Sequence, residues 1–329
     1  MHPMDTAIGG YFELELPATS GTRYPQAIAY QSARAAFLAL LRLSPHVKRV
    51  WMPRYICDAM LASVQAAGKE TCFYRLDAQL AVSSQVILHK GDLLLYVNYF
   101  GICTAQCDAL LRRFDPAQIV LDCSPAFYMP PCNCYATIYS PRKFFGIPDG
   151  GLLATALSVT PPELQDTGSE GRMWHLIKRL GGTAEAGYQD FRHAEDSLGD
   201  MEPRSMSTIT HRLFESVNFE AARTARNRNF AYLRQHLDET NTLTLPPKVD
   251  GPQCYPYLPD HPVSKENLSR NRVFVATYWP EVLARVDAGT FEERLVSHCL
   301  PIPCDQRYSE DTLSRVLNLL LSPMLEAIS

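Results

Sequence analysis

Tyr139-Ser140-Pro141-Arg142-Lys143-Phe144-Phe145-Gly146-Ile147-Pro148-Asp149-Gly150-Gly151 sets one lysine three residues after a hydroxyl and ahead of a turn that carries two glycines. Upstream, the apolar run Ile119-Val120-Leu121 ends in Asp122, which puts a carboxylate at the C-terminal end of a short strand. Taken singly, a lysine is usually a solvated charge, and an Asp after a strand is usually a turn residue or a helix cap. Taken together, Lys143 and Asp122 are an amine and an anion delivered to the same edge of a sheet if the strands before them run parallel.

The surrounding pattern predicts such a sheet. Apolar runs at 47–52, 71–75, 93–98, 118–122, 135–139 and 151–156 read as strands, and residues 55–67 and 104–113 carry helical spacing between them. Residues 27–43 place Ala33, Ala36, Phe37, Leu40 and Leu41 on one helical face, with Ser32 near the start, where free N–H groups would face an anion. Alternating strands and helices predict an α/β layer structure with a mainly parallel sheet, whose ligands gather beyond the strand C-terminal ends. Neither G-x-G-x-x-G nor G-x4-G-K-[ST] occurs, so a dinucleotide or P-loop nucleotide has no local support.

Residues 157–210 turn rich in Gly, Ser, Thr and charge, with a short helical piece at 173–180, and a long helical pattern runs from 212 to 237. Pro246-Pro247 and Pro252 mark a break into a smaller unit. That unit is expected to hold a strand at 273–276, a helical stretch at 281–286, a strand at 297–302 and a last helix at 310–322. The expected domains are therefore a large unit over 1–237 and a small α/β unit over 238–329.

Composition narrows the function classes. The 329 residues are 46% hydrophobic and 20% charged with a net charge of -4, which gives no basic field for a nucleic-acid backbone or an anionic membrane. The longest apolar stretch, 93–103, is interrupted by Asn98 and Gly101 and is about half of the roughly 20 residues a membrane helix needs. Residues 1–25 carry no secretory pattern, so a cytoplasmic protein is expected. The ten cysteines are scattered through apolar settings without paired C-x2-C spacing, which reads as free thiols rather than a disulfide framework or a zinc site.

An enzyme that uses pyridoxal 5'-phosphate (PLP) needs an amine that condenses with the cofactor aldehyde and an anion that keeps its ring nitrogen protonated. Lys143 and Asp122 meet those needs. The chain resembles the DegT-type family of PLP-dependent sugar aminotransferases, which have the fold type I architecture of aspartate aminotransferase. Four stretches carry the resemblance. Gln31 to Phe37 (QSARAAF) is similar to the family's Ser-Gly/Ala-x-x-Ala phosphate loop, and Val50 to Tyr55 (VWMPRY) to its V-x-x-P strand end. Leu121 to Ala126 (LDCSPA) is similar to E-D-A-A-Q-A, and the Lys143 loop to S-F-x-x-x-K-x-x-x-x-x-[DE]-G-G, with the lysine-to-Asp149 spacing kept.

The resemblance implies a seven-stranded, mainly parallel sheet and a homodimer with a shared active site, with Arg212 or its neighbours reaching across. It implies Lys143 as the Schiff-base lysine and proton carrier and Asp122 as the partner of the ring nitrogen. Ser140, the Ser32 hydroxyl and the amides of Ala33 and Arg34 would hold the phosphate. Tyr55 is expected beside the ring, with Cys57 as the alternative alignment. The implied reaction moves an amino group from a donor such as glutamate to a nucleotide-linked keto sugar. One position departs: where the family has Gln or His, this chain has Pro125, which carries no donor, and Ser124 is the nearest hydroxyl. Two alternatives stay open. One is a desulfurase using Cys299 or Cys304, and the other a relic that binds a sugar nucleotide or a partner without turnover. Lys143 stands where a dehydratase branch of the family has histidine.

Overall fold

The structure, a computed structural model, describes residues 10–17 and 21–326. Of the residues inspected for a leader, 1–9 and 18–20 lie outside the described residues. The chain opens with β1 (Ile28–Tyr30), α1 (Ala33–Arg42), β2 (Arg49–Pro53), α2 (Asp58–Ala66), β3 (Glu70–Tyr74), β4 (Asp92–Val97) and α3 (Thr104–Arg113). It continues with β5 (Ile119–Asp122), β6 (Ala136–Tyr139) and β7 (Gly151–Ala154), which complete a seven-stranded sheet in the order β1-β7-β6-β5-β4-β2-β3. Strands β3, β2, β4, β5 and β6 are mutually parallel, and β7 runs antiparallel to β6 and β1. The sheet is the seven-stranded, mainly parallel one that the resemblance implied.

The central strands are apolar on both faces, as helices packed on both sides of a parallel sheet require: every residue of β4, β5 and β6 is buried. Helix α1 starts where Ser32 caps it, its hydroxyl accepting the Ala35 amide at 3.2 Å, and seven of its ten residues are buried. The expected helix at 27–43 is thus shorter. Residues 28–30 form β1 instead, because the edge of β7 offers a ladder that local periodicity does not reveal.

Beyond the sheet lie α4 (Ser169–Arg172), α5 (Trp174–Gly181) and α6 (Tyr188–Ser197), followed by α7 (Thr208–Glu215) and α8 (Phe219–Leu237). The single helix expected from 212 is therefore two, parted where Asn218 accepts the Ala221 amide and caps α8. Then come β8 (Cys254–Tyr257), α9 (Lys265–Arg270), α10 (Phe291–His298), β9 (Leu300–Pro303) and α11 (Glu310–Glu326). Strand β9 pairs with β8, not with a strand at 273–276, which the structure does not form. Among the described residues, no helix is long and apolar enough to cross a membrane.

Candidate active site

Strand register decides what meets what. Asp122, the last residue of β5, lies opposite Val97 at the end of β4 and Ile138 near the end of β6, and Ser140 follows β6 directly. Because β7 runs back antiparallel, its first residue, Gly151, lies at this same edge and pairs with Tyr30 at the end of β1. The start of α1 is therefore carried to the C-terminal edge of the parallel strands, beside Asp122, Ser140 and the Lys143 loop.

The approach of the glycine turn to α1 is backbone against backbone. Gly150 donates to the Gln31 carbonyl at 2.8 Å and takes φ +118°, a region that favours glycine. A Cβ on Gly151 would lie 2.2 Å from the Ser32 carbonyl carbon and 2.3 Å from the Ala33 nitrogen. Ser32 uses an oxygen lone pair on the Ala35 amide, which leaves its O–H to donate. The Ala33 and Arg34 amides, in the first turn of α1, have no intrahelical acceptor. Three donors thus converge at a helix start.

Asp122 is buried, 5% exposed, yet the hydrogen bond to its carboxylate among the described residues comes from one neutral donor, the Ser124 amide at 2.9 Å. No ion pair reaches it there. A carboxylate taken out of water without a cation is costly, and no described residue supplies one here. Its main chain is fixed through the Asn98 amide, which donates to the Asp122 carbonyl at 3.0 Å. Asn98, fully buried, in turn accepts the Cys103 amide at 2.8 Å.

Lys143 ends a one-turn helix, Pro141–Lys143, in which the Ser140 hydroxyl makes no capping bond. Its side chain is exposed and makes no hydrogen bond or ion pair with any described residue. The loop around it is fixed all the same. The Lys143 amide donates to the Ser140 carbonyl at 3.1 Å, and Phe144 and Phe145 are buried. The amine is held by its backbone, and its end stays free.

Cys57, at the start of α2, feels Lys143, Asp122 and Arg34 together; burial pushes its thiol up, and Lys143 pulls it partly back. Tyr55 is elsewhere. It is fully buried, edge-on to Trp279 at 4.9 Å and tilted against Tyr99 at 5.5 Å, and the thiols and hydroxyl around it are those of Cys299, Tyr278 and Cys254. Cys57 therefore feels the charges of Lys143, Asp122 and Arg34, whereas Tyr55 packs against Tyr99 and Trp279. Ser124 is buried beside Asp122, and Pro125 presses its carbonyl against Gly101.

Glu195 on α6 was not foreseen. Burial is the largest single influence and would raise its carboxyl, but the hydrogen bond and charge of Arg142, with the charges of Arg34 and Lys143, together hold it below the usual carboxylate range. No sequence signal marks it, since α6 lies in the polar region between the sheet and α7.

Asp149 explains why an acid precedes the glycines. It is fully buried and accepts from Arg172 Nη1 at 2.7 Å, Thr210 Oγ1 at 2.6 Å and the Ser169 hydroxyl. Arg172 also grips Asp166 at 2.5 and 3.2 Å. Burial raises the Asp166 carboxyl, yet Arg172 holds it below the usual range. The network ties the glycine turn to α4 and α7.

Cys299 and Cys304 are 2% and 0% exposed, and burial pushes each thiol up to about 12. Neither supplies a thiolate at neutral pH. Arg212 is exposed and faces Glu13 at 3.4 Å.

No family model and no curated protein matches the chain. Solved structures do. A DegT DnrJ EryC1 StrS aminotransferase from Brucella abortus is 16% identical with a TM-score of 0.63, over 90% of this chain and 85% of that one. The sugar aminotransferase CalS13 from Micromonospora echinospora is 13% identical with a TM-score of 0.62, over 91% and 87%. NtdA from Bacillus subtilis, solved with bound cofactor PMP, is 16% identical with a TM-score of 0.57, over 92% and 73%. At these identities the likeness establishes the shared fold.

Proposed function

We propose that the protein is a PLP-dependent aminotransferase acting on a sugar. The observation that carries this reading is the buried Asp122 carboxylate, which no described residue pairs with a cation, on the same sheet edge as a lysine without a partner among the described residues and a helix start with free donors. The site's residues fit the cofactor end to end. Ser32, the Ala33 and Arg34 amides and Ser140 suit its phosphate, Asp122 its protonated ring nitrogen, and Lys143 its aldehyde. Cys57 lies near the charges of Lys143, Asp122 and Arg34, and Ser124, buried beside Asp122, would offer a hydroxyl to the ring oxygen.

When bound, PLP supplies an electron sink that makes a proton on the amine-bearing carbon removable. The chain's own groups do the rest. Asp122 keeps a proton on the ring nitrogen. Lys143, on a rigid loop with an unrestrained end, carries a proton between the substrate carbon and the cofactor. The phosphate donors set the distance between these two residues and the bound ring.

We further propose that glutamate is the amino donor and a nucleotide-linked keto sugar the acceptor. We propose a cytoplasmic homodimer that shares its sites through the exposed face near Arg212, with units over 1–237 and 238–329. The sugar reading is supported by the fold's likeness to sugar aminotransferases. A second reading, binding without turnover, is favoured by Pro125 alone, which removes a donor from the ring's side.

One experiment tests the proposal. The purified protein, incubated with PLP, should turn yellow, and borohydride should fix the cofactor to Lys143 in a peptide map. Added glutamate should bleach the band, and Lys143→Ala should lose both signals. A wild type that fixes no cofactor overturns the proposal, whereas a band that no amino donor bleaches leaves the relic reading.

A further inference from the structure

The geometry points to Arg226 as a positioning residue for Lys143, a buried cation that locks the backbone after the lysine to the loops beside Asp122; this rests on the proposed PLP chemistry. Arg226, on α8, is 1% exposed. Its Nη2 donates to the Phe144 carbonyl at 3.0 Å, and its guanidinium lies 4.5 Å from the Phe144 ring centre. Nη1 donates to the carbonyls of Pro252 and Gln253 at 3.0 and 3.1 Å, and Nε to Gln306 Oε1 at 3.1 Å. Gln306 completes the clasp, its Nε2 donating to the same Phe144 carbonyl at 2.8 Å. The residue after Lys143 is thus gripped through its oxygen by two donors and through its ring by a third contact.

The other arm reaches the acid. The Gln253 amide donates to the Phe100 carbonyl at 2.9 Å, and Phe100 sits in the left-handed region at φ 57°. Next to it, Gly101 has no room for a Cβ, which would lie 2.4 Å from the Pro125 carbonyl and 3.0 Å from the Gln253 amide. These residues directly follow Asn98, which holds the Asp122 carbonyl. One guanidinium therefore spans from the lysine loop through the 252–253 strap to the turn beside the buried acid.

The electrostatics are unusual for a merely structural arginine. Arg226 makes no ion pair among the described residues, and the nearby Asp305 is engaged by Arg307 at 2.8 Å. Burial lowers its affinity for the proton. A buried cation held only by carbonyl and amide oxygens costs stability that a well-packed apolar side chain would not. What it provides is a planar fork with five donors in fixed directions, which a lysine cannot reproduce.

The test compares Arg226→Lys, Gln306→Leu and a surface control, Arg270→Ala, each incubated with PLP at a temperature where circular dichroism shows it folded. Arg226→Lys and Gln306→Leu should form the yellow band about tenfold more slowly, shift the pH midpoint of that band, and lower kcat about tenfold with little change in KM. Arg270→Ala should match wild type. Band formation at the wild-type rate and pH midpoint in folded Arg226→Lys or Gln306→Leu overturns the inference and leaves the enzyme reading standing. If Arg226→Lys does not fold, Gln306→Leu decides alone. A wild type that never fixes cofactor on Lys143 overturns both.

Discussion

Replacing Arg172 by methionine isolates the network behind the glycine turn. Arg172 is 8% exposed on its side chain and is the cation shared by two buried carboxylates, Asp149 at 0% and Asp166 at 2%. It also donates through Nε to Ser197 at 2.9 Å. Methionine keeps much of the volume and removes every one of these bonds, leaving two carboxylates buried side by side. Breaking a buried pair in this way costs about 3–5 kcal/mol. With an unfolding entropy of about 2.1 cal/mol/K per residue, the chain unfolds with roughly 0.7 kcal/mol/K, so Tm should fall by about 4–7 °C at pH 7. The sign with pH follows from Asp166. In the wild type its carboxyl is depressed, so it contributes stability above the unfolded value of about 3.9, lost as pH falls through the lower folded value. Without Arg172 burial is opposed only by the hydrogen bonds from Ser169 and the Gly168 amide, so the folded carboxyl shifts upward and the penalty is relieved by protonation as pH falls. The Tm gap between variant and wild type should therefore narrow from pH 7 to pH 5 in calorimetry. A gap under 1 °C at pH 7, or one that does not change with pH, refutes the reasoning.

Asp122→Asn should leave Tm unchanged or raised, because a neutral amide replaces a buried carboxylate without a cation, while amino transfer falls by about 100-fold or more; a melt and a rate assay on one preparation separate the two effects. Gly151→Ala drives a Cβ into the Ser32 and Ala33 backbone and should cost about 1–3 kcal/mol or more, seen as a lower Tm together with weakened PLP binding in a fluorescence titration. The double variant Cys299→Ala, Cys304→Ala should keep wild-type amino transfer, and wild type given cysteine should release no sulfide, since both thiols are pushed up to about 12 by burial.

What the sequence disclosed was what local spacing can encode. The lysine-to-glycine interval lies within one loop, and the strands β4 and β5 announce themselves as continuous apolar runs, so Lys143 and Asp122 were legible at once. Local spacing does not choose between Cys57 and Tyr55, because two residues on one loop exchange places with a small turn of the backbone, and the packing of Trp279 on Tyr55 is a contact from far along the chain. Strand β8 carries Pro256 in a region of turn signals and so read as part of a break. It is tolerated because the ladder has only two strands, and Pro256 faces Pro301 where neither needs to donate. Residues 273–276 have strand-like alternation but no strand beside them to pair with. Glu195, Arg172 and Arg226 were invisible for a common reason: each acquires its role from contacts far along the chain, and a lone charged residue on a polar helix carries no periodic signal.

The Lys143 loop is clamped at two points after an unclamped amine, and this asymmetry bears on how such a site works. Directly after the lysine, Phe144 is fixed by Arg226 and Gln306; farther on, Asp149 is fixed by Arg172, Thr210 and Ser169, which holds Gly151 against the start of α1. A lysine that must both condense with an aldehyde and later carry a proton has to move at its end while its base stays within a fraction of an ångström of its place. Rigid anchors just beyond a side chain that has no partner among the described residues satisfy both demands, whereas a lysine held by an ion pair would have to break it at each turnover. The two anchors also differ in kind. The Arg172 network is an ion cluster that pH can weaken, and the Arg226 clasp is built on carbonyl oxygens that do not titrate. Acid below about pH 4 should therefore loosen the glycine turn and the start of α1 before it disturbs the lysine's own backbone, and cofactor should be lost from folded protein at a higher pH than the one at which the sheet unfolds.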